Sequence, residues 1–170
     1  MYYIFVKRGF SVLRFNFRGV GKSQGEFDNG IGELADAAGA LDWMQSIKPG
    51  AKEVWVAGFS FGAWIGMQLL MRRPEVEGFI SVAPPANMYD FSFLAPCPSD
   101  GLIVHGSEDD VVPISSVEKL NSKLGLQKNI NITYSIIKGA NHFFQSNMED
   151  LTNTVEDYLE LKKHHQISKK

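Results

Sequence analysis

The stretch that decides the fold is residues 53–73, EVWVAGFSFGAWIGMQLLMRR. Its first six residues are rich in β-formers and predict a strand over 53–58, and the apolar run from Phe61 to Arg73 predicts a helix that Pro74 closes. Between them lies Gly58-Phe59-Ser60-Phe61-Gly62. A strand that turns sharply into a helix at Gly-x-Ser-x-Gly exposes the serine hydroxyl at the carboxyl end of a sheet, which makes Ser60 a candidate nucleophile.

The same stretch resembles a membrane span in its length and lack of charge. Residues 54–71 carry no Asp, Glu, Lys or Arg and contain glycines four residues apart. Such a pattern is close to that of a transmembrane helix. The Gly-x-Ser-x-Gly in the middle, the β-rich first half and the lack of a second such segment favour a strand, a turn and a buried helix instead, with no membrane partner.

Outward from this stretch, short apolar runs alternate with helical patterns, which is typical of βαβ units and a parallel sheet. Apolar runs without polar alternation indicate strands that helices cover on both faces. We therefore expect an α/β fold with a parallel sheet of about five strands, in a single domain over residues 1–170. The predicted strands are 11–17, 53–58, 78–82, 101–105 and 131–137, and the predicted helices are 31–47, 61–73, 113–124 and 147–163.

Composition excludes several functional classes. The chain has 170 residues and a net charge of −2, which gives no electrostatic basis for nucleic-acid binding. Its one cysteine, Cys97, cannot form an internal disulfide and favours a reducing, cytoplasmic location. One cysteine and four dispersed histidines provide no metal-ligand cluster.

Gly21-Lys22-Ser23 is not a nucleotide-binding P-loop, because Asn16 stands where that loop needs its first glycine.

A serine hydroxyl is a weak nucleophile, so Ser60 needs a base to take its proton and a carboxylate to orient that base. The backbone N–H of Phe61, at the start of the following helix, would face the negative charge that develops on the substrate and is the candidate oxyanion-hole donor. The alternative is that Ser60 is a structural serine in a glycine-rich turn.

Of the histidines, His142 is the favoured base. It follows the last predicted strand, in the loop Gly139-Ala140-Asn141-His142-Phe143-Phe144, at the carboxyl edge of the sheet. His105 ends the strand 101–105 and is the alternative base, with partial burial as its other interpretation. His164 and His165 lie in the polar tail and are expected to be surface residues.

The acid is expected in Gly106-Ser107-Glu108-Asp109-Asp110-Val111-Val112-Pro113, directly after the strand 101–105. The residues alone leave Glu108, Asp109 and Asp110 as candidates. Any of the three gives the chain order serine, acid, histidine, which is the order found in this type of site. Each of the three groups then follows a strand, at the carboxyl edge where active sites of open α/β sheets lie.

Four segments together resemble the α/β-hydrolase superfamily, in particular its small lidless branch of bacterial serine hydrolases. They are Arg18-Gly19-Val20-Gly21-Lys22-Ser23, the turn at 58–62, the acid loop at 106–113 and Asn141-His142-Phe143. The resemblance selects Asp109 as the acid. It implies hydrolysis of an ester, thioester or related acyl bond of a small molecule through an acyl-Ser60 intermediate, without a cofactor or a metal. Phe61, Phe143 and Phe144 suggest an apolar acyl pocket.

The resemblance also aligns 11–17 with the fourth strand of the full fold, so that the chain would be an N-terminally incomplete hydrolase core without its first three strands. The strand that normally separates 11–17 from 53–58 would then be missing, which predicts an unpaired or re-paired edge and a route to homo-oligomers. The loop after the third strand normally supplies the second oxyanion donor. Weak activity, or a catalytically silent scaffold that serves as a binding module, is therefore the alternative function.

Overall fold

The computed structural model describes residues 1–167, with side chains described up to residue 163. In chain order the elements are α1 (Tyr2–Lys7), α2 (Ile31–Ile47), β1 (Val54–Phe59), α3 (Phe61–Arg72), β2 (Val76–Val82), a 3-10 turn (Ser92–Leu94), β3 (Gly101–Gly106), α4 (Ile114–Gly125), β4 (Ile132–Ile137) and α5 (Met148–Ile167). The α/β class is confirmed. The helix that the sequence predicts over 31–47 has those same bounds, and the other predicted helices agree with the structure to within four residues.

The four strands form one parallel sheet in the order β1-β2-β3-β4. Phe59 pairs with Val82, Val82 with Val104, and Gly106 with Ile137, so the strands end near a common edge. The loops that follow β1, β3 and β4 therefore emerge together.

Two layers of helices cover the sheet, because side chains of the inner strands alternate between its faces. On one face Ile80 and Leu102 pack with residues of α1 and α5; on the other, Phe79 and Ile103 pack with residues of α3 and α4. Every residue of β3 is buried, whereas only one residue of β1, Gly58, is fully buried. This burial is what a central strand and an edge strand of a helix-covered sheet should show.

The prediction of a fifth strand, at 11–17, is wrong. Some of its apolar residues do face the protein, since Val12, like the preceding Phe10, packs against the cluster beneath α1 and α5 and Phe17 packs near α2 and α3, whereas Leu13 and Phe15 are exposed. No strand pairs with this segment among residues 1–167, and β1 forms the end of the sheet. A strand requires a neighbouring backbone to hydrogen-bond with, and β1 pairs only with β2.

Two further segments of the chain are short. Residues 1–8, which the resemblance aligns with the end of a helix, do form helix α1. The connection between β2 and β3, residues 83–100, contains the single 3-10 turn Ser92–Leu94. This connection adds no further layer over the edge where the loops emerge.

Candidate active site

Ser60 lies at the turn from β1 into α3, with φ 50° and ψ −121°. A positive φ is costly for a residue with a side chain and persists only where the surroundings enforce it. Here the Ser60 N–H donates to the carbonyl of Val82 at 2.8 Å, and the Ser60 carbonyl accepts from Ala63 at 2.8 Å. Hydrogen bonds to the strand and to the helix thus hold this turn in place, and the turn directs the Ser60 hydroxyl outward.

The two glycines of the turn do not serve the same purpose. A Cβ at Gly58 would lie 2.2 Å from the carbonyl oxygen of Gly62, so position 58 admits no side chain. A Cβ at Gly62 would meet nothing closer than a ring carbon of Phe17 at 4.0 Å, an ordinary contact. The close approach of strand and helix therefore explains Gly58 and leaves Gly62 unexplained.

His142 lies between Ser60 and Asp109 and is 3% exposed. Its Nε2 is 3.0 Å from the Ser60 Oγ, and its Nδ1 is 2.8 Å from the Asp109 Oδ2. An ionised carboxylate only accepts hydrogen bonds, so Nδ1 carries the proton and Nε2 presents a lone pair to the serine O–H. The structure thus brings the three side chains within hydrogen-bond distance in the order Ser60, His142, Asp109.

The side chain of Asp109 is fully buried. While its Oδ2 faces His142, its Oδ1 accepts the N–H groups of Val111 at 2.9 Å and Val112 at 2.7 Å. Glu108 and Asp110 are exposed. The structure thus distinguishes among three acids that the residues alone could not separate.

The acid loop and the histidine loop are bonded to each other. Ser107 donates its N–H to the Ile137 carbonyl at 3.0 Å, Glu108 donates to Ala140 at 3.0 Å, and Gly139 donates to the Ser107 Oγ at 2.8 Å. These bonds fix the separation between Asp109 and His142 independently of the bond between their own side chains.

His105, the alternative base, is buried beneath the acid loop. Its Nε2 is 2.9 Å from the carbonyl oxygen of Val112, and burial lowers the pKa of its imidazole. Its hydrogen bond is therefore made with the acid loop and not with Ser60. The expectation that His164 and His165 are surface residues falls outside the described side chains.

Comparisons with known proteins agree with this arrangement. The family model of the X-Pro dipeptidyl-peptidases (S15 family) matches residues 2–103, and that of the prolyl oligopeptidase family matches residues 81–165. An Agrobacterium tumefaciens protein of unknown function, described as a candidate α/β hydrolase, is 60% identical in sequence. Its crystal structure has a TM-score of 0.95, over 96% of this chain and 75% of its own.

Two further solved structures are also similar. The α/β serine hydrolase homologue from Coxiella burnetii is 36% identical over 86% of this chain and 67% of its own, with a TM-score of 0.75. A lidless α/β serine hydrolase from Xanthomonas campestris is 32% identical over 85% of this chain and 63% of its own, with a TM-score of 0.75. This chain belongs to the α/β-hydrolase superfamily. Membership supports a hydrolase function.

In this α/β hydrolase, aromatic rings flank the serine on two sides. The Phe59 ring lies 5.1 Å from the His142 ring, and Phe143 lies 5.2 Å from it. On the helix side, the Phe61 ring contacts those of Phe17 and Phe27, both at 5.7 Å. Motif analysis missed Phe59, although it occupies a variable position of Gly-x-Ser-x-Gly.

Phe144 does not belong to this aromatic surface. It is 1% exposed, has φ 53° and packs in the core beneath α5. The interpretation of Phe144 as an acyl-pocket residue is therefore wrong, since the turn after His142 directs successive side chains to opposite sides. Phe143, 57% exposed, remains at the site.

The loop before α2, at 18–30, is held to the hydrolase core by charged side chains. The Arg18 guanidinium bonds both carboxylate oxygens of Asp36, at 3.1 and 2.8 Å, and this contact lowers the pKa of Asp36. Glu33, 1% exposed, accepts the N–H groups of Asp28 and Gly30, both at 2.8 Å. Burial of Glu33 raises its pKa, but these bonds and the nearby Arg18 lower it overall.

Between residues 1 and 167, no helix has the length and apolarity needed to cross a membrane. The described side chains also form no group of three or more His, Cys, Asp and Glu residues that could hold a metal ion.

Proposed function

We propose that the protein is a serine hydrolase that cleaves an ester, thioester or related acyl bond of a small molecule. The observation that carries the proposal is the continuous hydrogen-bond chain from Ser60 Oγ through His142 to Asp109, at 3.0 and 2.8 Å, with the serine held at φ 50°. A serine, a histidine and a carboxylate in this order form the constellation that activates a hydroxyl for attack on an acyl carbon.

In the first half-reaction the Ser60 oxygen attacks the acyl carbon while its proton passes to His142 Nε2. The resulting oxyanion receives a hydrogen bond from the Phe61 N–H, which, as the first residue of α3, has no acceptor within its own helix. The intermediate collapses, the bond to the leaving group breaks, and His142 returns the proton to that group. An acyl-Ser60 ester remains.

In the second half-reaction a water molecule attacks the acyl-Ser60 ester, and His142 accepts one of its protons. Collapse of this intermediate releases the carboxylic acid and restores the serine hydroxyl. Asp109 keeps the imidazole in the tautomer with the proton on Nδ1 and stabilises the imidazolium without taking the proton. The bonds from Val111 and Val112 keep its carboxylate oriented through both steps.

The test is the wild-type protein against Ser60→Ala, with a fluorophosphonate probe and p-nitrophenyl esters of different chain length. We expect the probe to attach to Ser60, located by peptide mass spectrometry, and the variant to lose both labelling and at least about 10⁴-fold in kcat. A Ser60→Ala protein that hydrolyses esters at the wild-type rate would show that another residue is the nucleophile.

A second candidate, a catalytically weak or silent scaffold that binds a ligand, is favoured by the unpaired segment at 11–17 beside the site. If the second oxyanion donor comes from a neighbouring strand's loop, a site with the Phe61 N–H alone should react about 10²–10³-fold more slowly than one with two donors. Stoichiometric labelling with very slow turnover would support this candidate, whereas rapid turnover would exclude it.

A further inference from the structure

A fully buried ionisable side chain next to the site has no part in the mechanism above. His105, at the end of β3, is 0% exposed, yet it lies on the same strand that leads into the acid loop. Burial of an imidazole costs free energy unless its polar atoms find partners. The Nε2 of His105 has a partner, whereas its Nδ1 has none among the described residues.

The partner of His105 defines its tautomer. The carbonyl oxygen of Val112, 2.9 Å from Nε2, can only accept a hydrogen bond, so Nε2 must carry the proton. The N–H of the same residue, Val112, donates to Asp109 Oδ1 at 2.7 Å. One peptide residue therefore joins the ring of His105 to the carboxylate of Asp109.

We propose that His105 is a positioning residue, which holds Asp109 in place for His142 through the backbone of Val112. This inference rests on the proposed function. With Val112 fixed from the strand side by His105, the acid loop cannot rotate without breaking a buried hydrogen bond. The Asp109 Oδ2 is then kept at 2.8 Å from His142 Nδ1.

The neutral form of His105 is essential to this role. Its Nε2 is 3.8 Å from Asp109 Oδ2, the oxygen that His142 uses. A protonated His105 would compete with His142 for that oxygen, since a cation at this distance attracts the carboxylate strongly in a buried site. Asp109, His142 and Glu118 are the charged or titratable groups that act on the ring, and burial outweighs the attraction of the two carboxylates and keeps the ring neutral.

The experiment compares two replacements of His105 with the wild type. His105→Gln keeps an N–H donor the same number of bonds from the backbone as Nε2, whereas His105→Leu has no donor. The matched control is Ile103→Val, two residues earlier on the same face of β3 and 0% exposed, which removes packing without removing a hydrogen bond. Rates are expressed per site that the fluorophosphonate labels, so that loss of folded protein is not counted as loss of kcat.

We expect His105→Leu to lower kcat about 10-fold or more with KM changed less than about twofold, because the binding surface is intact and only the acid is displaced. His105→Gln should recover most of this loss, and Ile103→Val should lower Tm without changing kcat. The hydrogen-bonded His142 Nδ1 proton, which resonates far downfield in NMR spectra, should weaken or disappear only in His105→Leu.

Wild-type kcat per labelled site and an unchanged downfield proton in His105→Leu would overturn the proposal, as would a His105→Gln protein impaired as much as His105→Leu. If His105→Leu does not fold, His105→Met, which also lacks a donor, takes its place. A wild-type protein without turnover would count against the proposed function instead, and the proton signal would still test the role of His105.

Discussion

The segment from residue 8 to residue 30 and the four-stranded sheet are held in place by different kinds of interaction. In the sheet, each strand that precedes a site residue is bonded along its length to a neighbouring backbone. In the segment, the backbone hydrogen bonds close local turns, such as Gly19 to Gln24 at 3.2 Å, and side chains, both charged and apolar, make the long-range contacts. Side-chain contacts suffice to place a segment. The positions of Ser60, Asp109 and His142, in contrast, are set by the backbone hydrogen bonds between paired strands.

The largest effect should come from the sheet region. Asp109→Asn keeps an oxygen for the N–H groups of Val111 and Val112, so the acid loop should stay folded. The new amide would present a donor to His142 Nδ1 and favour the wrong tautomer. We expect kcat to fall about 10⁴-fold with Tm nearly unchanged, measured by ester hydrolysis and thermal melting. Asp110→Asn, at an exposed neighbouring position, is the control, and an equal loss there would refute the assignment.

Hydrogen exchange tests the comparison between the two regions directly. Amides of β2 and β3 should exchange at rates near those of global unfolding, whereas amides of 11–16 have no ladder to protect them. For a domain of ordinary stability this difference is about 10³-fold or more, measurable by exchange and mass spectrometry on peptides from each region. Protection of 11–16 equal to that of β3 would mean that this segment pairs with another strand in solution.

The same difference explains what the sequence could predict. Ser60 and His142 could be predicted from the sequence because a strand, a turn and a helix are local patterns. The chain order of the site residues follows from the order of the strands. The prediction of a strand at 11–17 was wrong because strand pairing depends on a distant backbone, which the local sequence does not reveal. Asp109 was one of three adjacent acids, separated by the resemblance and by burial, which depends on the whole fold.

Some roles had no signal in the sequence at all. Phe144 follows an exposed aromatic residue and reads as part of the same surface, but its positive φ turns it into the core. Glu33 reads as one polar residue of an amphipathic helix, although it is nearly inaccessible, while the apolar Ile31 in the same turn is 76% exposed. At Phe144 the backbone conformation sets the direction of the side chain, and at Glu33 the side chain turns to accept the N–H groups of the preceding loop.

A smaller effect is expected at the turn between β1 and α3. Gly58→Ala would place a methyl group 2.2 Å from the Gly62 carbonyl and should cost about 3 kcal/mol of unfolding free energy. Gly62→Ala is the matched control. It has no contact closer than 4.0 Å and replaces a helical glycine, so it should be neutral or stabilise the protein by up to about 1 kcal/mol. Urea unfolding of both variants measures the difference, and equal destabilisation would contradict the asymmetry of the two glycines.

The smallest effect, in the amino-terminal segment, depends on pH. Glu33→Gln replaces one accepting oxygen with a donor that faces the N–H of Asp28 or Gly30, so at pH 7 it should cost about 1–3 kcal/mol of unfolding free energy. The lowered pKa of Glu33 means that its carboxylate stabilises the fold above the ordinary carboxyl pKa and that this stability is lost as the pH falls below it. The difference in unfolding free energy between wild type and variant, measured by urea unfolding, should therefore become smaller towards pH 3. Glu26→Gln, at an exposed position of the same loop, should show no such difference at either pH. A difference in unfolding free energy that stays constant with pH would show that the packing of the Glu33 side chain, and not its charge, holds the segment.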